Sequence, residues 1–126
     1  MENLFDRTKL LIGQEAIDKL QESHIAIFGI GGVGSYVCEA LVRSGVGTFD
    51  LVDKDRVSES NINRQIIALH STVGRSKVDV MKERMLDINP DVTVNTHECF
   101  FLPENSASLI FAITSKRSLN SSISHI

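Results

Sequence analysis

The stretch His24-Ile-Ala-Ile-Phe-Gly29-Ile-Gly-Gly-Val-Gly-Ser35 decides the fold. His24 to Gly29 is short and almost continuously apolar, the pattern of a strand buried on both faces in a parallel sheet. The glycines then let the chain turn sharply, and the residues that follow read as a helix running to about Ser44. Val33, Val37, Ala40 and Leu41 are the expected buried stripe of that helix, and Gly45 is its natural stop. A strand, a glycine loop and a helix in this order open an α/β nucleotide-binding unit. Missing side chains let a phosphate approach the backbone, and the helix N-terminus offers free N–H groups and the positive end of a dipole.

Outward from this unit the pattern repeats. Thr48-Phe-Asp-Leu-Val-Asp53 reads as a second strand. Residues 54–72 are polar and irregular, with one helical turn expected around Asn61 to Ile66. A helix follows from about Ser76 to Ile88, with Ser76 and Asp79 as a capping box and Val78, Met81, Met85 and Ile88 facing inward. Asn89-Pro90 ends it, and Asp91 to Thr96 alternates like a third strand. Upstream, residues 8–22 form a helix with Ile12, Ala16 and Leu20 on one face. The fold class is therefore α/β: a Rossmann-like parallel sheet with flanking helices, the N-terminal half only, preceded by a helix. Leu109 to Ile113 reads as one further short strand. Residues 1–113 are taken as the domain, and 114–126, rich in serine and without periodicity, as a disordered or non-native tail.

Composition narrows the function classes. The chain has 126 residues and a formal net charge of −3, which gives no general attraction to nucleic acid or anionic membrane. It has no apolar stretch of membrane-spanning length and no basic-then-apolar leader, so a cytoplasmic location is expected. Two cysteines, Cys38 and Cys99, are not spaced as a metal-binding pair, and Cys38 reads as a buried structural thiol.

Asp53 stands at the end of the second strand, where a carboxylate accepts from both ribose hydroxyls. To that point an NAD-binding oxidoreductase domain accounts for the sequence equally well. The next segment, Asp53-Lys-Asp55-Arg-Val-Ser-Glu-Ser-Asn61-Ile-Asn63-Arg64-Gln65, separates the two readings. A dinucleotide site has no need of such a cluster, whereas a triphosphate under attack does. Arg64 would grip phosphate oxygens bidentately, Asn61 and Asn63 would fix sugar or phosphate groups, and Lys77 would add a point charge. The plain alternative for Arg64 and Lys77 is a solvated helix face.

Gly29 to Ser35, Asp53-Lys-Asp55, Ser60-Asn-Ile-Asn-Arg-Gln65, Val73-Gly-x-x-Lys77 and Ile88-Asn-Pro90 together resemble the ThiF/HesA/MoeB superfamily of adenylating enzymes. These are related to ubiquitin-activating enzymes, and the resemblance covers about Leu4 to Leu109. Asn61-x-Asn-Arg-Gln-Ile-x-Ala-Leu69 and Val80-Met-Lys-Glu-Arg84 are most similar to its tRNA-modifying branch, which cyclises a threonylcarbamoyl group on an adenosine beside the anticodon. The resemblance implies ATP with Mg²⁺ as cofactors and Gly29, Gly31, Gly32 and Gly34 as the phosphate loop. It makes Asp53 the ribose ligand and Asp55, Asn61, Asn63, Arg64, Gln65 and Lys77 further ATP contacts. Arg64 and Lys77 would carry catalysis, with Arg7 reaching the triphosphate of a partner subunit in a homodimer. Arg7 reads equally well as a solvated arginine. The implied partner is tRNA, or alternatively the C-terminus of a ubiquitin-like sulfur carrier protein. No dedicated metal ligand is identified. The family expects a further strand ending in an aspartate that helps hold Mg²⁺, yet no aspartate follows Asp91. The domain thus reads as cut short, binding ATP weakly without turnover and exposing a strand edge. A non-catalytic binding module is the third class of reading.

Overall fold

The computed structural model of the chain describes residues 3–115 and 123–125. Helix α1 (Asp6–Glu22) leads into β1 (His24–Phe28), α2 (Gly32–Ser44) and β2 (Thr48–Val52). A 3₁₀ turn at Glu59–Asn61 precedes α3 (Lys77–Ile88), β3 (Thr93–His97), α4 (Ser106–Ser115) and β4 (Ile123–His125). The strands form one parallel sheet in the order β3-β2-β1-β4. That is the order of the first half of a doubly wound fold, with its switch point beside the glycine loop.

One face of the sheet carries Ile27, Phe49, Leu51 and Val94, which pack with Cys38 and Val42 of α2 and Val78, Met81 and Met85 of α3. The other carries Ala26 and Val52, covered by Leu109 and Ile113 of α4. Burial pushes the Cys38 thiol up to about 12, as befits a buried apolar position.

Several expectations are corrected. Leu109 to Ile113 is helical, lying within α4, because Leu109 and Ile113 are four residues apart and share its buried face while Phe111 is exposed. Of the expected α2 stripe, Val37 and Leu41 are partly buried and pack against this core, whereas Val33 and Ala40 are exposed, and the fully buried positions are Ser35, Cys38 and Val42. In α1, Gly13 (φ 83) interrupts the helical backbone, and Ile17 rather than Ile12 is buried. Ser76 is the N-cap of α3 but makes no capping bond through its side chain. Of the segment read as a tail, 123–125 pair with His24–Ala26 of β1 and so cover the strand edge expected to be open there. The rest of that reading, 116–122 and 126, lies outside the described residues.

Glu39 joins the two helices on the first face. Arg84 donates to it through Nε at 2.7 Å and Nη2 at 3.2 Å, and Arg43 through Nε at 3.0 Å. The Arg84 bonds, more than Arg43, hold the Glu39 carboxyl below its ordinary value of 4.5. A carboxyl lowered in the folded state adds stability above the ordinary value and loses it as pH falls through the lowered one. Glu39→Gln is expected to cost about 1 kcal/mol at neutral pH, since solvent screens the part-exposed Arg84. In urea unfolding followed down the acid range the difference closes. A gap unchanged in acid would contradict the assignment.

Candidate functional site

The site is built where β1 and β2 end. Gly29 N–H donates to the Val52 carbonyl at 2.8 Å and then turns the chain at φ 98, a conformation few side chains allow. Gly34, in the first turn of α2, lies so close to this turn that a Cβ there would sit 1.8 Å from the Gly29 oxygen. The Ser35 hydroxyl donates to the Gly31 carbonyl and is buried. The first N–H groups of α2 have no carbonyl behind them in the helix and face the space above the loop.

Asp53 closes that space from β2. Its Oδ2 accepts from Ile30 N–H at 2.7 Å, inside the glycine loop, and its Oδ1 accepts from Asp55 N–H at 2.8 Å. Each oxygen keeps a lone pair for a further donor. The Asp55 carbonyl accepts from Lys77 N–H at 3.1 Å, placing the start of α3 beside the same strand end. The Lys77 side chain is only 8% exposed, and its ammonium stands 3.9 Å from Asp55 Oδ2. A buried cation held by one long ion pair favours a further anion beside it.

The polar segment folds back over the loop. Gln65 Nε2 lies 3.7 Å from the Cβ position of Gly31, and the Arg64 carbonyl 4.0 Å from that of Gly32. Gln65 is buried, and its Oε1 has no partner among the described residues. Arg64 is exposed, and Nη1 alone makes its described bonds, to the Ser60 carbonyl and Asn63 Oδ1. Arg43, Arg56, Arg75 and Arg84 each pair with a glutamate, whereas Arg64 and Arg7 have no ion pair among the described residues. Asn61 is buried with Oδ1 accepting from Ser58 N–H at 2.9 Å, so that atom shapes the 3₁₀ turn. Asn63 is exposed and braces Arg64.

The structure thus gathers Gly29, Gly31, Gly32, Gly34, Asp53, Asp55, Arg64, Gln65 and Lys77, with Asn61 and Asn63 shaping the segment. Arg7 is not among them. It is exposed in the first turn of α1, near Phe5, whose ring lies 3.6 Å from the Cβ position of Gly45. Gly45 caps the far end of α2, about 20 Å from the loop at 1.5 Å per residue.

Sequence reading missed the aromatic wall of the site. A cavity of about 280 Å³ beside Asp53 and Asp55 is lined by Phe28, Cys99, Phe100 and Phe101. The Phe28 and Phe101 rings lie 4.7 Å apart, and Lys54 Nζ stands 5.2 Å from the centre of Phe100. The signal was present: Phe100-Phe101-Leu102 is an apolar run outside any strand and half-exposed. A larger hollow of about 500 Å³ lies at the opposite ends of the strands, beside Thr48 and Thr93, and contains none of these residues. Among the described residues no cluster of three or more His, Cys, Asp or Glu is arranged for a metal ion, and no helix is long and apolar enough to cross a membrane.

The profile of the ThiF family matches residues 5–115. The chain is 52% identical over 100 residues to the tRNA threonylcarbamoyladenosine dehydratase of Bacillus subtilis, covering 79% of this chain and 39% of that protein. It is 36% identical over 98 residues to a probable adenylyltransferase/sulfurtransferase, MoeZ, of Mycobacterium tuberculosis, covering 78% of this chain and 25% of the relative. Among solved structures, the Escherichia coli tRNA N6-threonylcarbamoyladenosine dehydratase TcdA in complex with ATP superposes with a TM-score of 0.82 at 43% identity. That match covers 85% of this chain and 44% of the other. The chain therefore spans less than half the length of each of these relatives.

Proposed function

The chain belongs to the ThiF family, and from that premise we propose that it is the ATP-binding part of an enzyme that adenylates a carboxylate, that of threonylcarbamoyladenosine in tRNA. One observation carries the reading: the segment ending in Arg64 and Gln65 folds back over the glycine loop, with Gln65 Nε2 3.7 Å from the Cβ position of Gly31 and the Arg64 backbone carbonyl 4.0 Å from that of Gly32. An NAD site needs the loop and Asp53 but not this cover.

In this reading the α-phosphate sits at the N-terminus of α2, and Asp53 accepts from the ribose hydroxyls through its two remaining lone pairs. The adenine lies toward Phe100 and Phe101. Arg64, through Nε and Nη2, and the Lys77 ammonium draw the pyrophosphate charge away as the substrate carboxylate attacks in line. The work of these residues is to position and to neutralise charge. A ring then closes when a group of the same modified base attacks the adenylated carboxyl carbon and the acyl–phosphate bond breaks to release AMP, so no cysteine nucleophile is needed. For Mg²⁺, Asp55 is already 3.9 Å from the Lys77 ammonium, the neighbouring Asp53 is committed to the loop and the ribose, and among the described residues no group of three or more His, Cys, Asp or Glu is gathered for a metal ion. No step is therefore assigned to the metal. Arg7, remote from its own loop and without an ion pair among the described residues, suits a homodimer in which it meets the partner's triphosphate. A tRNA substrate is consistent with the cytoplasmic location expected from the sequence.

The relative at 36% identity favours a second substrate, the C-terminus of a ubiquitin-like sulfur carrier protein. Residues 1–113 grafted in place of the matching part of the Bacillus subtilis enzyme would discriminate. Pyrophosphate release with the modified tRNA and not with a carrier supports the proposal, and the reverse overturns its substrate. Within the chain alone, Arg64→Ala is expected to weaken ATP binding by about tenfold or more, one lost charge-assisted contact. Because Arg64 is exposed, unfolding should shift by less than about 0.5 kcal/mol. Unchanged ATP affinity in calorimetry would remove Arg64 from the site.

A further inference from the structure

Outside the nucleotide site the sheet holds a buried polar array with no evident task. His24 in β1, Asp50 in β2 and His97 in β3 are joined through one carboxylate: His24 Nε2 meets Asp50 Oδ2, and His97 Nε2 meets Asp50 Oδ1 at 2.7 Å. Asp50 is fully buried and the His24 and His97 side chains nearly so, at 1% and 13% exposed. Each ring turns Nε2 to a carboxylate oxygen, so each Nε2 donates. The three residues are not side by side. Asp50 is in register with Ala26 and Asn95, which makes His24 and His97 its diagonal neighbours, one toward the start of β1 and one at the end of β3. Long side chains bridge such diagonals. The array thus ties the beginning of β1 to the end of β3 across the middle of β2.

The end of β3 is where this tie bears on ATP. The His97 carbonyl accepts from Asp53 N–H at 3.2 Å, and Asp53 in turn holds Ile30 of the glycine loop. We propose that His97, anchored through Asp50 to His24, is a positioning residue for the nucleotide, setting the height of Asp53 through its own backbone. A hydrophobic residue at 97 would pair with β2 equally well but would leave the end of β3 without a lateral anchor. It would also leave a buried carboxylate short of one donor. The anchor rests on the ATP reading only for its purpose; its structural effect on Asp53 stands apart.

Amide hydrogen exchange in the ATP-free chain measures that effect directly, and calorimetry with ATP measures its consequence. In His97→Ala the Asp53 and Ile30 amides are expected to exchange about tenfold faster relative to the central amides of β2, and the ATP Kd to rise by about the same factor. His97→Gln, which keeps an N–H donor for Asp50, is expected to restore both. Acceleration spread evenly over all strands, or none at Asp53, would overturn the proposal, as would a Gln variant no better than Ala. If the unmodified chain binds no ATP, the exchange result still decides the anchor, and the failure belongs to the proposed function.

Discussion

Gly34→Ala is expected to abolish ATP binding and to destabilise the chain by about 3 kcal/mol, the cost of forcing an atom into closed packing. The added Cβ would lie 1.8 Å from the Gly29 oxygen and 2.9 Å from its carbonyl carbon. Both are backbone atoms, so no rotamer relieves the clash. Gly29 cannot yield easily either, because its N–H is tied to the Val52 carbonyl while the Asp53 side chain holds the next residue. The strain must move the start of α2 away from β1, which opens the phosphate cradle. Gly31→Ala is the milder contrast: its nearest neighbour is Gln65 Nε2 at 3.7 Å, an ordinary contact, but its backbone at φ −108 and ψ −142 lies outside the regions open to a residue with a Cβ. It should cost about 1 kcal/mol of backbone strain, well short of the Gly34→Ala loss, and perturb ATP binding. Thermal unfolding with ATP titration on both variants checks the pair, and a Gly34→Ala chain of unchanged stability and affinity would contradict the geometry.

Asp53→Ala is expected to lower ATP affinity by about a hundredfold or more, equivalent to roughly 3 kcal/mol. The carboxylate does two things at once. It orders the loop by accepting from Ile30 and Asp55, each bond to a charged acceptor being worth about 1.5–3 kcal/mol. It also supplies the acceptors for the ribose. Asp53→Asn separates these, since its oxygen can still accept from Ile30 while its amide cannot accept from Asp55. The Asn variant should therefore retain more stability than Ala yet recover little affinity. Calorimetry beside chemical unfolding reads both quantities, and full affinity in either variant would remove Asp53 from the nucleotide site.

Much of this was legible because local and long-range signals agreed. The apolar run of β1, the glycines and the spacing to Asp53 all point to one strand–loop–helix unit, and the structure places them so. Leu109 to Ile113 was not legible, because a short continuous apolar run suits a buried strand or a buried helix equally, and only tertiary packing decides. The stripe of α2 was half legible: Val37 and Leu41 do pack against the core, but the fully buried positions include Ser35, a polar residue that an apolar pattern does not mark. Ser76 looked like a cap by composition, yet its side chain is buried and its Oγ has no partner among the described residues. Asp50 was passed over as one residue of a strand. Its pairing with His24 and His97 depends on diagonal register, which no linear motif encodes. Arg7 shows a limit of another kind: a residue that would act across a subunit interface cannot be brought to the site by its own chain.

The most direct test of the central claim is a calorimetric titration of the chain with ATP in the presence of Mg²⁺, run beside NADH as the rival ligand. Saturable ATP binding in preference to NADH, weakened in Arg64→Ala, is the predicted result. Preference for NADH, or ATP binding indifferent to Arg64, would contradict it.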